Sequence, residues 1–194
     1  AQLLQADREE ISRVTGTDPN GVSYTLYSPE ENSEILLENM PEGKQFDGTG
    51  YRSVFNSLSY LRADDILPNQ DATDLEFGAS YTVQMKDQVV YLGEIAEKDD
   101  KAYIRLTARY TGPEPSVQKQ VESEEQLKER EKLFVAKETA DRFAQKHTGW
   151  IYQIPTYKAD EMTRPLEELI KEIPAPEPQT AAESDVSPDQ AEAP

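Results

Sequence analysis

The chain has 194 residues, 30% of them charged, with a net charge of −18 and no cysteine. So large an acidic excess argues against a nucleic-acid partner, whose phosphates need Lys and Arg, and against direct binding to anionic lipid. The absence of Cys excludes disulfides and thiolate chemistry, and no run of ~18 apolar residues is present to span a bilayer. A chain of this length buries about 70% of its unfolded surface, enough for a core without cross-links or metals.

The start at Ala1-Gln2-Leu3-Leu4, without Met, leads to the expectation that a signal or anchor precedes it. In chain order, Ile11 to Thr17 is expected to be a strand. Asp18-Pro19-Asn20-Gly21 supplies a turn, because Pro sets the first corner and Asn-Gly tolerates positive φ. Val22, Tyr24 and Leu26 alternate with polar neighbours, so a second strand completes a hairpin. Glu34 to Asn39 is expected as a third strand, ended by Pro41-Glu42-Gly43. Tyr51, Val54, Phe55, Leu58 and Leu61 then recur at helical spacing. The expected helix is capped by Thr49 or Asp47 and stops by Ala63, with Pro68 beyond.

The second half repeats the order. Tyr81, Val83 and Met85 alternate; Asp87-Gln88 connects to an apolar run from Val89 to Ile95. A polar turn over Glu97 to Lys101 leads into Ala102, Ile104, Leu106, Ala108 and Tyr110, the strongest strand pattern in the chain. Three strands with short connections imply an antiparallel meander. Ser123 and Gln126 match a capping box. The helix it opens carries Leu133, Ala136, Ala140, Phe143 and Ala144 on one stripe, with Gly149 suited to the left-handed position after its end. Trp150, Tyr152 and Ile154 read as a closing strand ended by Pro155, and Trp150 is expected to be buried against the helix near Phe143. Met162, Leu166, Leu169, Ile170 and Ile173 share a helical face, so a C-terminal helix with Pro165 in its first turn is expected. From Pro174 to Pro194 there are five acids and no bases, the composition of disorder.

The expected fold class is therefore α+β. Two successive units of antiparallel meander plus helix, over residues 1–68 and 75–173, pack in two layers, followed by a disordered acidic tail over 174–194.

Few residues invite chemistry. His147 has no neighbouring His, Asp or Glu to make a base or metal site, and a structural or helix-dipole role is expected. Asp64, Asp65, Asp71 and Asp74 carry hard oxygen ligands for Ca²⁺, but without the glycine and closing Glu of a known loop; they read as a solvated linker. Glu97, Asp99 and Asp100 read as an exposed turn. Arg105, Thr107 and Arg109 share one strand face, where two guanidinium groups suit a carboxylate or phosphate; pairing with acids such as Glu94 is the structural alternative and the one expected. Trp150, Tyr152, Phe143 and Pro155 are expected to be structural. No phosphate loop, nucleophile motif, metal set or cofactor motif is apparent.

Gly149-Trp150-Ile151-Tyr152-Gln153-Ile154-Pro155, with Tyr157-Lys158-Ala159 and Leu166-Glu167-Glu168-Leu169, resembles the ending of the bacterial family called domain of unknown function 4340. Leu37 to Gly43 and Leu58 to Ile66 are similar to that family's first unit, so the resemblance spans about Leu3 to Ile173. It implies a membrane-tethered, extracytoplasmic α+β protein whose partners are membrane transporter-like components, and it carries no catalytic residues. Three function classes follow: a non-enzymatic, extracytoplasmic scaffold or protein-interaction module; a small-anion or carboxylate-binding module on the Arg105 and Arg109 face; and, weakest, a hydrolase with paired carboxylates, which would need acids in opposite environments.

Overall fold

The computed structural model describes residues 1–29, 34–116 and 123–174. It is a mixed α+β fold built on an eight-stranded antiparallel sheet. In chain order, β1 (Gln2–Leu4) precedes the hairpin of β2 (Ile11–Thr17) and β3 (Ser23–Tyr27), whose turn has Gly21 at φ 83° as expected. Val22 lies outside the strand and is 56% exposed. The third strand, β4, is only Leu36–Leu37 and pairs with β3. The short strand β5 (Lys44–Phe46) follows.

The first helix corrects the sequence reading. α1 covers only Gly50–Phe55, starts at Thr49 without a side-chain cap, and gives way to a 3-10 turn over Ser57–Ser59. Side-chain competition explains the early stop. Asn56 Nδ2 donates to the Arg52 carbonyl at 2.9 Å and Ser57 Oγ to that of Ser53 at 2.8 Å, taking up acceptors near the helix end. Val54, Phe55, Leu58 and Leu61 are nevertheless all buried, so the apolar stripe is right although the helix is short. The chain then forms β6 (Leu61–Arg62), paired with β1, and β7 (Asp65–Pro68), neither anticipated.

β8 (Ala79–Met85), β9 (Val89–Lys98) and β10 (Lys101–Tyr110) make the expected meander. Asp99 and Asp100, at φ 52° and 60°, form the two-residue turn between the last two, the positive-φ pair that matches strand twist. α2 spans Glu124–His147, with the Ser123–Gln126 capping box formed from both sides. β11 (Trp150–Ile154) follows, and Pro155 opens α3 (Thr156–Met162). Here the C-terminal expectation fails. The helix ends at Thr163, whose Oγ1 and amide both turn back to the Ala159 carbonyl. Pro165 is extended, Leu166–Glu168 is a 3-10 turn, and β12 (Ile170–Glu172) pairs with β5 through Ile170 and Phe46. A Pro residue disfavours helix in its predecessor, and Arg164 precedes it. The expected tail lies, apart from Pro174, outside the described residues.

The large sheet runs β4-β3-β2-β8-β9-β10-β11-β7. Pairing of β2 with β8 joins the two meanders into one surface, and β7 from the first half closes against β11 from the second. All three helices pack on one face. Tyr81 donates to the Val54 carbonyl of α1, Tyr91 meets Phe143 of α2 edge-on at 4.9 Å, and Gly16, opposite Tyr81, lies under the Met162 carbonyl of α3. Between the layers lie Val14, Leu26, Tyr81, Ile95, Ile104 and Met162, all at most 2% exposed. Small side chains let α2 approach: Ala136 and Ala140 are its buried contacts.

Candidate functional site

β10 pairs with β9 along its whole length, which sets Arg105 opposite Glu94, Thr107 opposite Leu92 and Arg109 opposite Val90. On its other side it pairs with β11 only from Ala102 to Ile104. Beyond Ile104 the sheet therefore has a notch. α2 ends beside it, Gly149 at φ 85° reverses the chain, and Trp150 begins β11. Asn69 ties this corner to the end of β7, its amide donating to the Gly149 carbonyl at 2.8 Å. The result is a cleft with a volume of about 170 Å³, whose walls include Leu92, Glu94, Arg105, Thr107, His147 and Trp150.

Arg105 is held in an unusual way. Its guanidinium carbon lies 3.7 Å from the centroid of the Phe77 ring, a close cation–π contact. Its Nη1 lies 3.9 Å from Glu94 Oε2, near enough for charge attraction and too far for a hydrogen bond. Nε is buried and has no partner. The expectation that both arginines pair with acids holds for Arg105 in this loose form only. Arg109 is exposed, lies outside the cleft, and among the described residues has no acid within salt-bridge distance. The trio does not act as a unit: Arg105 and Thr107 reach the cleft and Arg109 does not.

His147 is 2% exposed. Its Nδ1 lies 2.7 Å from the Tyr152 hydroxyl, and its ring packs 4.2 Å from Phe143. Hydrogen-bond accounting assigns the tautomer. The hydroxyl has no other acceptor among the described residues, so it donates to Nδ1 and the ring proton sits on Nε2. That Nε2 is buried without a partner. Burial, with the Lys146 charge nearby, lowers the His147 pKa from 6.5 to about 4, so the side chain is neutral at pH 7. The helix-dipole version of its expected role, which needs His⁺, is thereby corrected; its structural role stands.

Trp150 also departs from expectation. It is 44% exposed, whereas Ile151, Tyr152 and Ile154 are buried. As the first residue of β11 it sits where the notch opens and lines the cleft, and it does not fill the core. Phe143 is half-buried between Tyr91 and His147. Pro155, at φ −57°, starts α3.

The acids do not gather. Asp74 pairs with Lys98, Asp65 accepts from the Ile66 amide, and among the described residues no group of three His, Asp or Glu side chains is placed to hold a metal. No described helix is long and apolar enough to cross a membrane. A second surface escaped the sequence reading. The first three turns of α2 bury no residue, and Leu127, Phe134 and Val135 are 44%, 43% and 55% exposed. Leu127 and Phe134, seven apart, share a face opposite Ala136 and Ala140. Comparison of the chain with protein-family models, with curated proteins and with solved structures gives no match.

Proposed function

We propose that the protein is a non-enzymatic recognition module that acts outside the cytoplasm beside a membrane complex and holds a protein partner through the projecting half of α2. The observation that carries this reading is the pair Leu127 and Phe134 on the solvent side of a helix anchored only by its second half. Apolar side chains repeated at helical spacing on an exposed face suit a partner groove. Charges flank them: Lys128 pairs with Glu124, and Arg142 with Glu138. Such a polar rim around apolar anchors is the usual composition of an interface. The location outside the cytoplasm, and the membrane complex as the partner's setting, rest on the resemblance of residues 149–155 and 37–43 described above.

The test is capture from detergent-solubilised membranes of the source organism by the full chain and by a Leu127→Glu, Phe134→Glu variant. The reading expects a defined membrane protein retained by the first and lost by the second, with both folded by circular dichroism. Equal retention by the two, or retention of nothing beyond what an unrelated acidic bait holds, overturns it. So does self-association that the double variant abolishes, because the occupant would then be a second copy.

A further inference from the structure

The second half of α2 has a small apolar hold on the sheet. Its buried residues are Ala136, Ala140 and His147, and Phe143 adds a half-buried ring against Tyr91. Two methyl groups bury little area. The histidine is therefore the largest side chain that the helix buries fully, and its ring packs 4.2 Å from that of Phe143 and 5.3 Å from that of Tyr152. Among the described residues, the 2.7 Å bond between His147 Nδ1 and the Tyr152 hydroxyl is the hydrogen bond that ties this half of the helix to a strand. β11 does not need the helix in return. It is paired with β10 on one side and with β7 on the other.

A proton on the ring undoes that hold. The neutral ring accepts the tyrosine hydrogen at Nδ1 and carries its own hydrogen on Nε2, which is buried without a partner. A second hydrogen on Nδ1 makes both nitrogens donors. The hydroxyl then has to turn round, and Nε2–H still finds no acceptor. A buried imidazolium is costly unless an anion answers it, and no carboxylate among the described residues lies within salt-bridge distance of the ring. Lys146 on the same helix adds a like charge. β11 presents the Tyr152 hydroxyl, and β9 presents Tyr91 behind Phe143. β10 turns Ile104 and Leu106 to this side, since Ile104 lies opposite Tyr152, and both are buried. Arg105 and its cross-strand neighbour Glu94 belong to the other face of the sheet. Only by leaving the sheet does the charged ring reach water.

We propose that His147 is an acid-operated latch: when its ring takes up a proton, the second half of α2 leaves the sheet while the strands stay paired. Opening of a single lightly buried element, short of global unfolding, is ordinary in native proteins. Once released, the helix no longer holds Leu127 and Phe134 at a fixed angle to the sheet. The latch therefore controls how that exposed face is presented, whatever occupies it, and does not rest on the partner proposed above.

The experiment follows amide hydrogen exchange of the full chain at pH 7.5 and pH 5.0, each rate divided by its intrinsic value at that pH. A ring with a pKa of about 4 when docked and 6.5 when free makes opening about thirtyfold more frequent at pH 5.0. Protection of the amides from Ala136 to His147 should fall by about that factor, and that of β8 and β9 by less than about threefold. His147→Gln has no ring to titrate, so its α2 protection should agree at the two pH values within about threefold. Tyr152→Phe keeps the histidine and removes the hydroxyl, which gives a second test should the glutamine variant fail to fold. At pH 7.5 it should lower α2 protection at least about fivefold and leave β8 and β9 unchanged. Equal loss of protection in α2 and in the strands overturns the proposal, because the whole fold would then open together. So does an α2 loss under about threefold at pH 5.0 in wild type, a loss that persists in His147→Gln, or wild-type α2 protection in Tyr152→Phe.

Discussion

Protonation of His147 should cost the fold stability in a defined pH window. Its ring is 2% exposed, wedged between Phe143 and Tyr152, with its Nδ1 taken by the Tyr152 hydroxyl. Burial and Lys146 lower its pKa from 6.5 to about 4. Between these values the unfolded chain binds the proton and the folded chain does not, so stability is complete above about pH 6.5 and falls as pH drops toward 4. The slope reaches about 1.4 kcal/mol per pH unit, and the full window amounts to at most about 3.4 kcal/mol. The many carboxylates of this acidic chain also titrate near its lower end, so the wild type alone does not isolate the histidine. The difference between wild type and His147→Gln does, because the acids cancel and glutamine keeps a polar group but no titration. Urea melts at pH 7.5, 6.5, 5.5 and 4.5 should show wild type's advantage shrinking by roughly 1–3 kcal/mol toward acid pH. An advantage constant within about 0.5 kcal/mol across the series, or a ring that titrates near the ordinary 6.5 by NMR, would refute the reasoning.

Three further outcomes follow from burial. Ala140, fully buried where α2 crosses β10, leaves no room for growth, so Ala140→Leu should destabilise by about 1–3 kcal/mol in urea melts; a neutral result would mean that α2 docks loosely. Tyr81→Phe removes the hydroxyl that donates to the Val54 carbonyl inside the core and should cost about 1–3 kcal/mol. A loss under about 0.5 kcal/mol would place water on that carbonyl. Trp150→Ala, by contrast, should cost well under the roughly 3–5 kcal/mol of a buried tryptophan, because the indole is 44% exposed; a loss within the buried range would show that it packs inward in solution.

Period-two alternation located the central strands because their side chains face the helices on one side of the sheet and water on the other. Tyr81, Val83 and Met85 are buried while Ser80, Thr82 and Gln84 are half-buried, and the pattern in sequence is the pattern in space. The capping box at Ser123 was equally legible, since both its hydrogen bonds are local. Apolar spacing alone misled at the two shorter helices. Val54, Phe55, Leu58 and Leu61 in the first stretch, and Met162 and Leu169 in the second, are buried at helical spacing, yet the backbone is α, 3-10 and strand in turn. Burial was read correctly there except at Ile173, which is 54% exposed, and conformation was not. What decides conformation at Asn56, Ser57 and Thr163 is a side chain bonding back to a carbonyl four residues earlier, and at Pro165 a missing amide. Propensity at a single residue outweighed the face.

The cleft is the case where sequence carried its parts without its geometry. Arg105 and Thr107 stood out because they share a strand face, and Arg109 stood out for the same reason although it does nothing in the cleft. His147 and Trp150 stood out only as the sole residues of their types. What brings Arg105, His147 and Trp150 together is a length mismatch. β10 has ten residues, β11 has five, and their pairing engages three from each, so the strand face carrying Arg105 runs on past the point where its neighbour begins. α2 ends at that point, and Gly149 turns the chain so that the helix's last residue and the strand's first stand on adjacent walls. Each step depends on register between segments more than forty residues apart. No local pattern encodes that register, whereas a shift of one residue would move Arg105 to the opposite face of the sheet. The candidate site is thus a property of how two strands of unequal length are aligned, and it exists only in the folded chain.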